Sequence, residues 1–148
     1  MSTPNKVSAS STVTIDAPAE AVVAALADYS TVRPKLLTEH FHDYRVVEGG
    51  AGSGTVAEWT LQATKKRSRE VRAVVEAAGS TITERDANSS MVTTWSVEPS
   101  DTGSVVTTST EWNGASGVGG FFERTFAPLG LRKIQAAMLS NLQAHLTR

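Results

Sequence analysis

Two histidines in the stretch TEHFHD have the types and the spacing that a metal site or acid–base chemistry would need. His40 and His42 are two residues apart, with Glu39 and Asp43 beside them, and at strand spacing both rings would share one face. A zinc site gathers three or four protein ligands, and the only other histidine, His145, is far along the chain. We therefore expect no metal site. The two histidines are predicted to lie exposed where a loop meets a strand, with the role of a general base as the alternative.

Four glutamates within predicted strands are the other candidates for acid–base chemistry. They are Glu58, Glu70, Glu84 and Glu111. Most should face solvent and pair across strands with arginines such as Arg69, Arg72 or Arg85. One that faced an apolar interior would have a raised pKa and could act as an acid or a base. The catalytic candidates are thus His40, His42, Glu58 and Glu84, and an enzyme would need two of them, or one with Arg69, to converge.

A glycine-rich stretch, VVEGGAGSGTV, could in principle bind a phosphate, since four glycines fall between positions 49 and 54. A Walker-type loop ends in Gly-Lys-Ser/Thr and opens a helix. Here Gly54 is followed by Thr55 to Trp59, which is typical of a strand. We predict a hairpin turn in which the glycines supply positive φ angles. The alternative is a loop at the rim of a cavity, whose backbone N–H groups contact a ligand.

Charge and composition argue against several classes of function. Fourteen Lys and Arg residues against 15 Asp and Glu leave a net charge of -1, whereas a nucleic-acid-binding protein normally shows a basic excess. The basic run KKRSR at 65–69 falls at a predicted hairpin tip and should be solvated, so no nucleic-acid partner is predicted. The chain has no cysteine, which removes disulfides and thiol catalysis. No cofactor is predicted.

The length of the chain indicates the number of domains, and its hydropathy indicates where in the cell the protein is located. The 148 residues favour one domain over 1–148, with residues 1–6 as a flexible N-terminus. No apolar run approaches the roughly 20 residues that a membrane span needs, so no stable membrane insertion is expected. The first ten residues are polar and lack the apolar core of a signal peptide. We therefore expect a cytoplasmic protein.

Hydrophobic periodicity predicts the elements that must position these residues. Alternating residues predict seven strands, and the breaks between the last six are too short for any but antiparallel neighbours. The predicted strands are 7–15, 44–48, 55–64, 68–77, 81–86, 91–98 and 104–112. Between the first two, one helix starts at Asp16-Ala17-Pro18 and stops near Asp28. A short second helix lies within 29–38, around a break at Arg33-Pro34.

A long amphipathic helix is predicted to run to the C-terminus. Its apolar positions, at helical spacing, are Leu131, Ile134, Met138 and Leu142, with Ala137 and Leu146 nearby. The polar positions expected mostly on other faces are Lys133, Gln135, Asn141 and Gln143. Pro128 and Gly130 should interrupt its beginning, so that Phe121 to Phe126 forms a separate or kinked turn.

One helix is too narrow to cover this sheet. Seven strands span roughly 30 Å, whereas one helix covers about 10 Å. The sheet must therefore curl around the helix, which leaves a cavity that the two short helices can close at one end. Tryptophans and threonines on the alternating strands would line it. The predicted ligand-binding residues are Trp59, Leu61, Val75, Thr93, Trp95, Thr108, Thr110, Trp112, Phe122, Phe126, Leu131, Ile134 and Met138. Phe121, Phe122 and Phe126 should pack at the mouth or form the surface of a homodimer.

Three stretches carry a resemblance to a known superfamily. The order of elements, the opening IDAPAEAVVAALADY, the loop VVEGGAGSGT and the strand GSVVTTSTEW resemble the START/Bet v 1-like (SRPBCC) superfamily over Val13 to Leu146. The closer likeness is to its bacterial polyketide cyclase/dehydrase and lipid-transport branch. The resemblance implies an α+β helix-grip fold, in which a seven-stranded curved antiparallel sheet wraps around a long C-terminal helix. It implies a cavity for apolar small molecules and no single reaction.

Three functions remain open. The preferred one is a carrier or sensor that binds a hydrophobic small molecule, such as a lipid, a polyketide or an aromatic compound. The first alternative is a cyclase or dehydratase that uses acid–base residues in the same cavity. The second is a protein-interaction module with a vestigial cavity. A cavity smaller than roughly 300 Å³ would weaken both ligand-based functions.

Overall fold

A computed structural model describes residues 6–64, 67–113 and 128–147 of the chain. The strands are β1 (Lys6–Ile15), β2 (Phe41–Glu48), β3 (Val56–Thr64), β4 (Arg67–Ala78), β5 (Thr81–Asp86), β6 (Val92–Ser100) and β7 (Gly103–Asn113). The helices are α1 (Ala19–Ala27), α2 (Arg33–Leu36) and α3 (Pro128–Leu146). Lys6 belongs to β1 and not to the predicted flexible segment, whose residues 1–5 lie outside the described ranges.

The strands form one seven-stranded antiparallel sheet, as predicted. Its order is β1-β7-β6-β5-β4-β3-β2, so the consecutive strands β2 to β7 are neighbours and β1 joins the far side of β7. The β1–β7 register is regular over ten pairs, from Lys6 opposite Asn113 to Ile15 opposite Ser104. This topology leaves β1 and β2 as the two edges, with α1 and α2 in the chain between them.

The alternation in β7 shows why one face of the sheet is covered. Ser104, Val106, Thr108, Thr110 and Trp112 are buried, and the residues between them are more exposed. Side chains at every second position share a face, so this set points toward α3 and the interior. The same rule places Trp95 and Val97 of β6 on the inner face.

Helix α3 differs from the prediction in two respects. It runs for 19 residues over Pro128–Leu146 without the interruption predicted at Gly130, and the predicted turn of Phe121 to Phe126 lies outside the described residues. The expected positions Leu131, Ile134, Met138 and Leu142 are buried, but Leu139 replaces the exposed Ala137 in the core.

Gln135, expected on an outer face of α3, is also buried. Its Nε2 donates to the backbone oxygen of Ala9 at 3.0 Å, and its Oε1 accepts from the Ser11 hydroxyl at 3.3 Å. These bonds satisfy the buried amide and attach α3 to β1.

The glycine-rich loop connects β2 to β3 and has the positive φ angles that were predicted, between 66° and 151° at its four glycines. Three of its backbone N–H groups donate hydrogen bonds within the protein. Gly52 N–H donates to the Ala27 carbonyl at 3.0 Å, Gly54 N–H to the Val75 carbonyl at 3.1 Å, and Gly50 N–H to the Thr55 hydroxyl at 3.2 Å. The loop therefore secures the end of α1, and these three N–H groups are not free for an anion.

Within the described ranges, no helix combines the length and the hydropathy needed to cross a bilayer.

Candidate functional site

An apolar cavity lies between the inner face of the sheet and α3, with α2 and the residues before it at one end. Of the predicted ligand-binding residues, those that line it are Trp59, Leu61, Thr93, Trp95, Thr108, Thr110, Leu131, Ile134 and Met138. Lining residues that the sequence analysis did not include are Tyr29, Arg33, Leu37, Phe41, Tyr44, Met91 and Gln135. Glu84, a catalytic candidate, also belongs to the wall.

The cavity is small when measured by the space it leaves for water. The volume open to the centre of a water molecule is about 60 Å³. The whole hollow measures about 600 Å³ only when the part that opens to solvent is included. The smaller value is the one to compare with ligand sites, and it falls below the roughly 300 Å³ typical of them.

Two predicted lining residues are buried elsewhere. Val75 of β4 pairs with Glu84 and packs in the core without bordering the cavity. Trp112 lies one inward position beyond Thr110, near the end of β7 opposite Val7, and fills the core there. Phe122 and Phe126, with the predicted mouth loop 114–120, lie outside the described residues.

Neither histidine reaches the cavity. His40 is half-buried just before β2, with Nδ1 at 3.1 Å from the Thr38 hydroxyl, and His42 is exposed. The inward residue between them is Phe41, so both rings project from the other face of the edge strand. No group of three or more His, Cys, Asp or Glu side chains that could hold a metal ion occurs in the part of the chain that the structure describes.

Glu58 and Arg69 also lie away from the cavity. Glu58 bonds Arg72 at 2.5 Å and Arg45 at 2.6 Å, and the hydrogen bond from Arg72 is the main cause that lowers the pKa of this carboxyl. Arg69 donates to the backbone oxygen of Asn88 at 3.3 Å. Among the proposed acid–base residues, only Glu84 faces the cavity, so the convergence that an enzyme would need is absent from this set.

Glu84 is held in a buried polar network. Its Oε2 accepts from Nη2 of Arg33 and from the Tyr29 hydroxyl, both at 2.5 Å. Arg33 is 3% and Glu84 6% exposed, so the two charges compensate each other away from water. Burial raises the pKa of the Tyr29 phenol, which keeps it protonated as a donor to Glu84.

Arg33 is the charged residue of the cavity wall that the sequence did not predict. Its guanidinium carbon lies 4.4 Å from the Tyr29 ring centre and 4.8 Å from a Trp95 ring centre, and its Nη1 donates to the Leu26 carbonyl at 2.9 Å. The sequence showed Arg33 only as the residue before a proline. The sequence offers no signal for it beyond its place in the short helix that was expected to close the cavity.

Aromatic side chains separate the cavity from the surface. Tyr44 stacks on Trp59 at 5.9 Å between ring centres, and Phe41 meets the same indole edge-on at 6.3 Å. Outside this layer lies an open surface hollow of about 530 Å³, and Leu37, Phe41 and Tyr44 border both spaces. A wall one side chain thick therefore divides the cavity from solvent between α2 and β2.

The chain matches one family over nearly its whole length. A family model described as "Polyketide cyclase / dehydrase and lipid transport" matches residues 6–147. No curated protein matches the sequence.

Solved structures show the same fold. The chain is similar to the KanY protein, solved by NMR, at 58% identity and a TM-score of 0.90, over 97% of this chain and 99% of that chain. It is similar at 17% identity and a TM-score of 0.72 to the di-domain ARO/CYC BexL of the BE-7585A biosynthetic pathway, covering 97% of this chain and 50% of that chain. Norcoclaurine synthase from Thalictrum flavum is similar at 15% identity and a TM-score of 0.71, over 99% of this chain and 97% of that chain. At such low identities, the last two show the fold alone.

Proposed function

The chain belongs to the polyketide cyclase / dehydrase and lipid transport family, and from this premise we propose that it binds a hydrophobic small molecule in the cavity between the sheet and α3, as a carrier or sensor. The observation that carries the proposal is an internal apolar space beside a compensated charge pair. Ligand sites are typically apolar hollows with a few fixed polar groups that orient the guest. Arg33, Glu84 and Tyr29 supply such groups at one end.

The small cavity volume weakens both ligand-based functions for a rigid wall, so binding requires the wall to move. The volume open to the centres of water molecules is about 60 Å³, which is enough for a few waters. A ring-containing ligand must therefore displace side chains. Met91 and Met138 line the cavity, and their unbranched side chains can change shape at low cost. We propose that Phe41 and Leu37 move toward the surface hollow, which opens the route by which the ligand passes between α2 and β2.

A reaction in the same cavity is the second candidate, and it has less support. Its remaining chemical group is Glu84, which is already bonded to Arg33 and Tyr29 and therefore is not an isolated acid or base. The activities named for the ARO/CYC protein and for norcoclaurine synthase are properties of those proteins. At identities of 17% and 15%, they do not support a reaction in this chain. An interaction module, a homodimer and a cytoplasmic location stay predictions from the sequence.

Native mass spectrometry of the protein purified from its own cells tests the proposal. We expect a retained apolar adduct that is lost in Ile134→Phe, which fills the cavity, and kept in Ala136→Phe, which adds the same ring to the exposed side of α3. An adduct that survives equally in both variants would place the ligand outside the cavity. Clean protein from every preparation, together with no binding of added hydrophobic compounds, would favour the interaction module.

A further inference from the structure

Buried side-chain polar atoms that have no hydrogen-bond partner among the described residues occur on four of the residues that line the cavity. They are Nε of Arg33, Nε1 of Trp59, Nε1 of Trp95 and Oγ1 of Thr108. Guanidinium and indole N–H groups can only donate, and the hydroxyl can donate as well. Buried donors are nearly always satisfied in proteins, by water or by a ligand where the protein itself offers no acceptor.

Most other polar side chains of the wall already make hydrogen bonds within the protein. Thr93 and Thr110 share a hydrogen bond of 2.9 Å between their hydroxyls, and Tyr44 donates to the Tyr29 carbonyl at 2.6 Å. Glu84 accepts from Arg33 and Tyr29 as described above. The unmet hydrogen-bonding capacity of the wall is therefore weighted toward donors.

Charge limits the ligand further. Arg33 and Glu84 neutralise each other at 2.5 Å, so the wall offers no net charge to balance an ionised guest. Moving an unpaired ion from water into an apolar space is strongly unfavourable. A carboxylate would also lie near the carboxylate of Glu84, whereas a neutral carbonyl oxygen accepts N–H bonds without adding charge.

We infer that the cavity selects neutral hydrophobic molecules that carry an acceptor oxygen, such as a ketone or quinone carbonyl, and that Trp59, Trp95 and Thr108 determine this preference. The inference rests on the proposed function, since it names the ligand class for the same cavity. Arg33 contributes its Nε–H from the position where its guanidinium covers Trp95.

Three compounds with the same bicyclic skeleton test the preference on the unaltered protein: indane, 1-indanone and indane-1-carboxylate. We expect 1-indanone to bind about tenfold more tightly than indane, the effect of about one good hydrogen bond, and the carboxylate to bind more weakly than either. The chain has three tryptophans, so its nitrogen-15 NMR spectrum has three indole N–H signals. With 1-indanone, the signal of Trp59 or Trp95 should move downfield, and that of Trp112, which does not line the cavity, should stay.

A matched pair of variants checks the role of the hydroxyl. Thr108→Val removes the cavity hydroxyl with little change in shape and should reduce the preference for 1-indanone over indane about threefold. Thr94→Val makes the same change on the outer face of β6 and should leave the preference intact.

The outcomes separate this inference from the proposed function. Equal affinities for indane and 1-indanone, with methyl shifts at Ile134 and Met138, would support a ligand cavity and overturn the acceptor preference. Tighter binding of the carboxylate would also overturn it. If none of the three compounds binds, the preference and the ligand-binding function are both wrong.

Discussion

Nη2 of Arg33 lies 2.5 Å from Oε2 of Glu84 although the two residues are 51 positions apart, and neither side chain has appreciable contact with solvent. The contact joins α2 to the middle of the sheet. It places opposite charges at the end of an otherwise apolar space, where their attraction is little screened. Loss of either partner would leave the other charge buried and unpaired.

Removing one member of the pair should strongly destabilise the protein. Glu84→Gln leaves the Arg33 guanidinium buried without a counter-charge, and we expect the free energy of unfolding to fall by about 3–5 kcal/mol. Urea denaturation measures the change. As a control, Glu76→Gln removes a surface partner of Arg85 at 3.5 Å and should have a far smaller effect.

The double variant Arg33→Met/Glu84→Gln should be more stable than Glu84→Gln alone, because no buried charge remains unpaired. If the losses in the free energy of unfolding from the two single substitutions add up in the double variant, the two groups act independently and do not form a coupled pair.

Alkaline pH should destabilise the protein through its two tyrosines. Burial raises the pKa of Tyr44 from 10.0 to about 12 and raises that of Tyr29 as well. Between pH 10.0 and about pH 12, the phenols ionise in the unfolded chain but stay protonated in the folded one. The folded state then binds more protons, so stability that is fully present below pH 10 is lost as the pH rises toward 12.

Tyrosinate absorbance measures this directly, since both tyrosines should ionise together with unfolding and not before it. In Tyr44→Phe the remaining Tyr29 should behave in the same way. Reversible ionisation of both phenols near pH 10 in folded protein would contradict the burial of the network.

The wall between α2 and β2 should control the rate of ligand binding. Phe41→Ala removes a ring that separates the cavity from the surface hollow, and we expect the association rate of 1-indanone to rise about tenfold. NMR line shapes report the rate. Val47→Ala, an exposed position on the same strand, is the matched control and should leave the rate unchanged. An unchanged rate in Phe41→Ala would mean that the ligand passes elsewhere.

Gly103 at the start of β7 should tolerate no side chain. A Cβ there would collide with the Ile15 carbonyl and come within 2.9 Å of the Ala17 nitrogen, at a φ of 153°. We expect Gly103→Ala to reduce the free energy of unfolding by about 3 kcal/mol. Gly79→Ala changes a glycine with a φ of 61° and open space around it, and should cost about 1 kcal/mol. Thermal unfolding compares the two, and equal losses would show that the close approach at Gly103 can relax.

The fold was predictable because the alternation of residues in the strands is regular. Strand β5 begins and ends where the sequence predicts, at Thr81 and Asp86, since its period of two is bounded by clear turn residues. The prediction that the C-terminal helix is interrupted at its beginning is wrong at Gly130, which lies within the helix, whereas the residues before Pro128 lie outside the described ranges.

The site was less predictable, since its polar members depend on contacts between distant segments. Arg33 and Gln135 are polar residues that sequence periodicity assigns to the surface, and each is buried only because a partner from another element satisfies it. Trp59 and Trp95, by contrast, follow the strand alternation and were placed on the inner face correctly.

The pairing of β1 with β7 has a consequence for synthesis of the protein in a cell. Lys6 of β1 can pair with Asn113 of β7 only after another 107 residues have been synthesised. A ribosome adding about 5–20 residues per second needs roughly 5–20 seconds for that interval. During this time the emerging segment exposes unpaired backbone groups that could join a second copy, so the nascent chain should depend on chaperones until its last strand has left the exit tunnel.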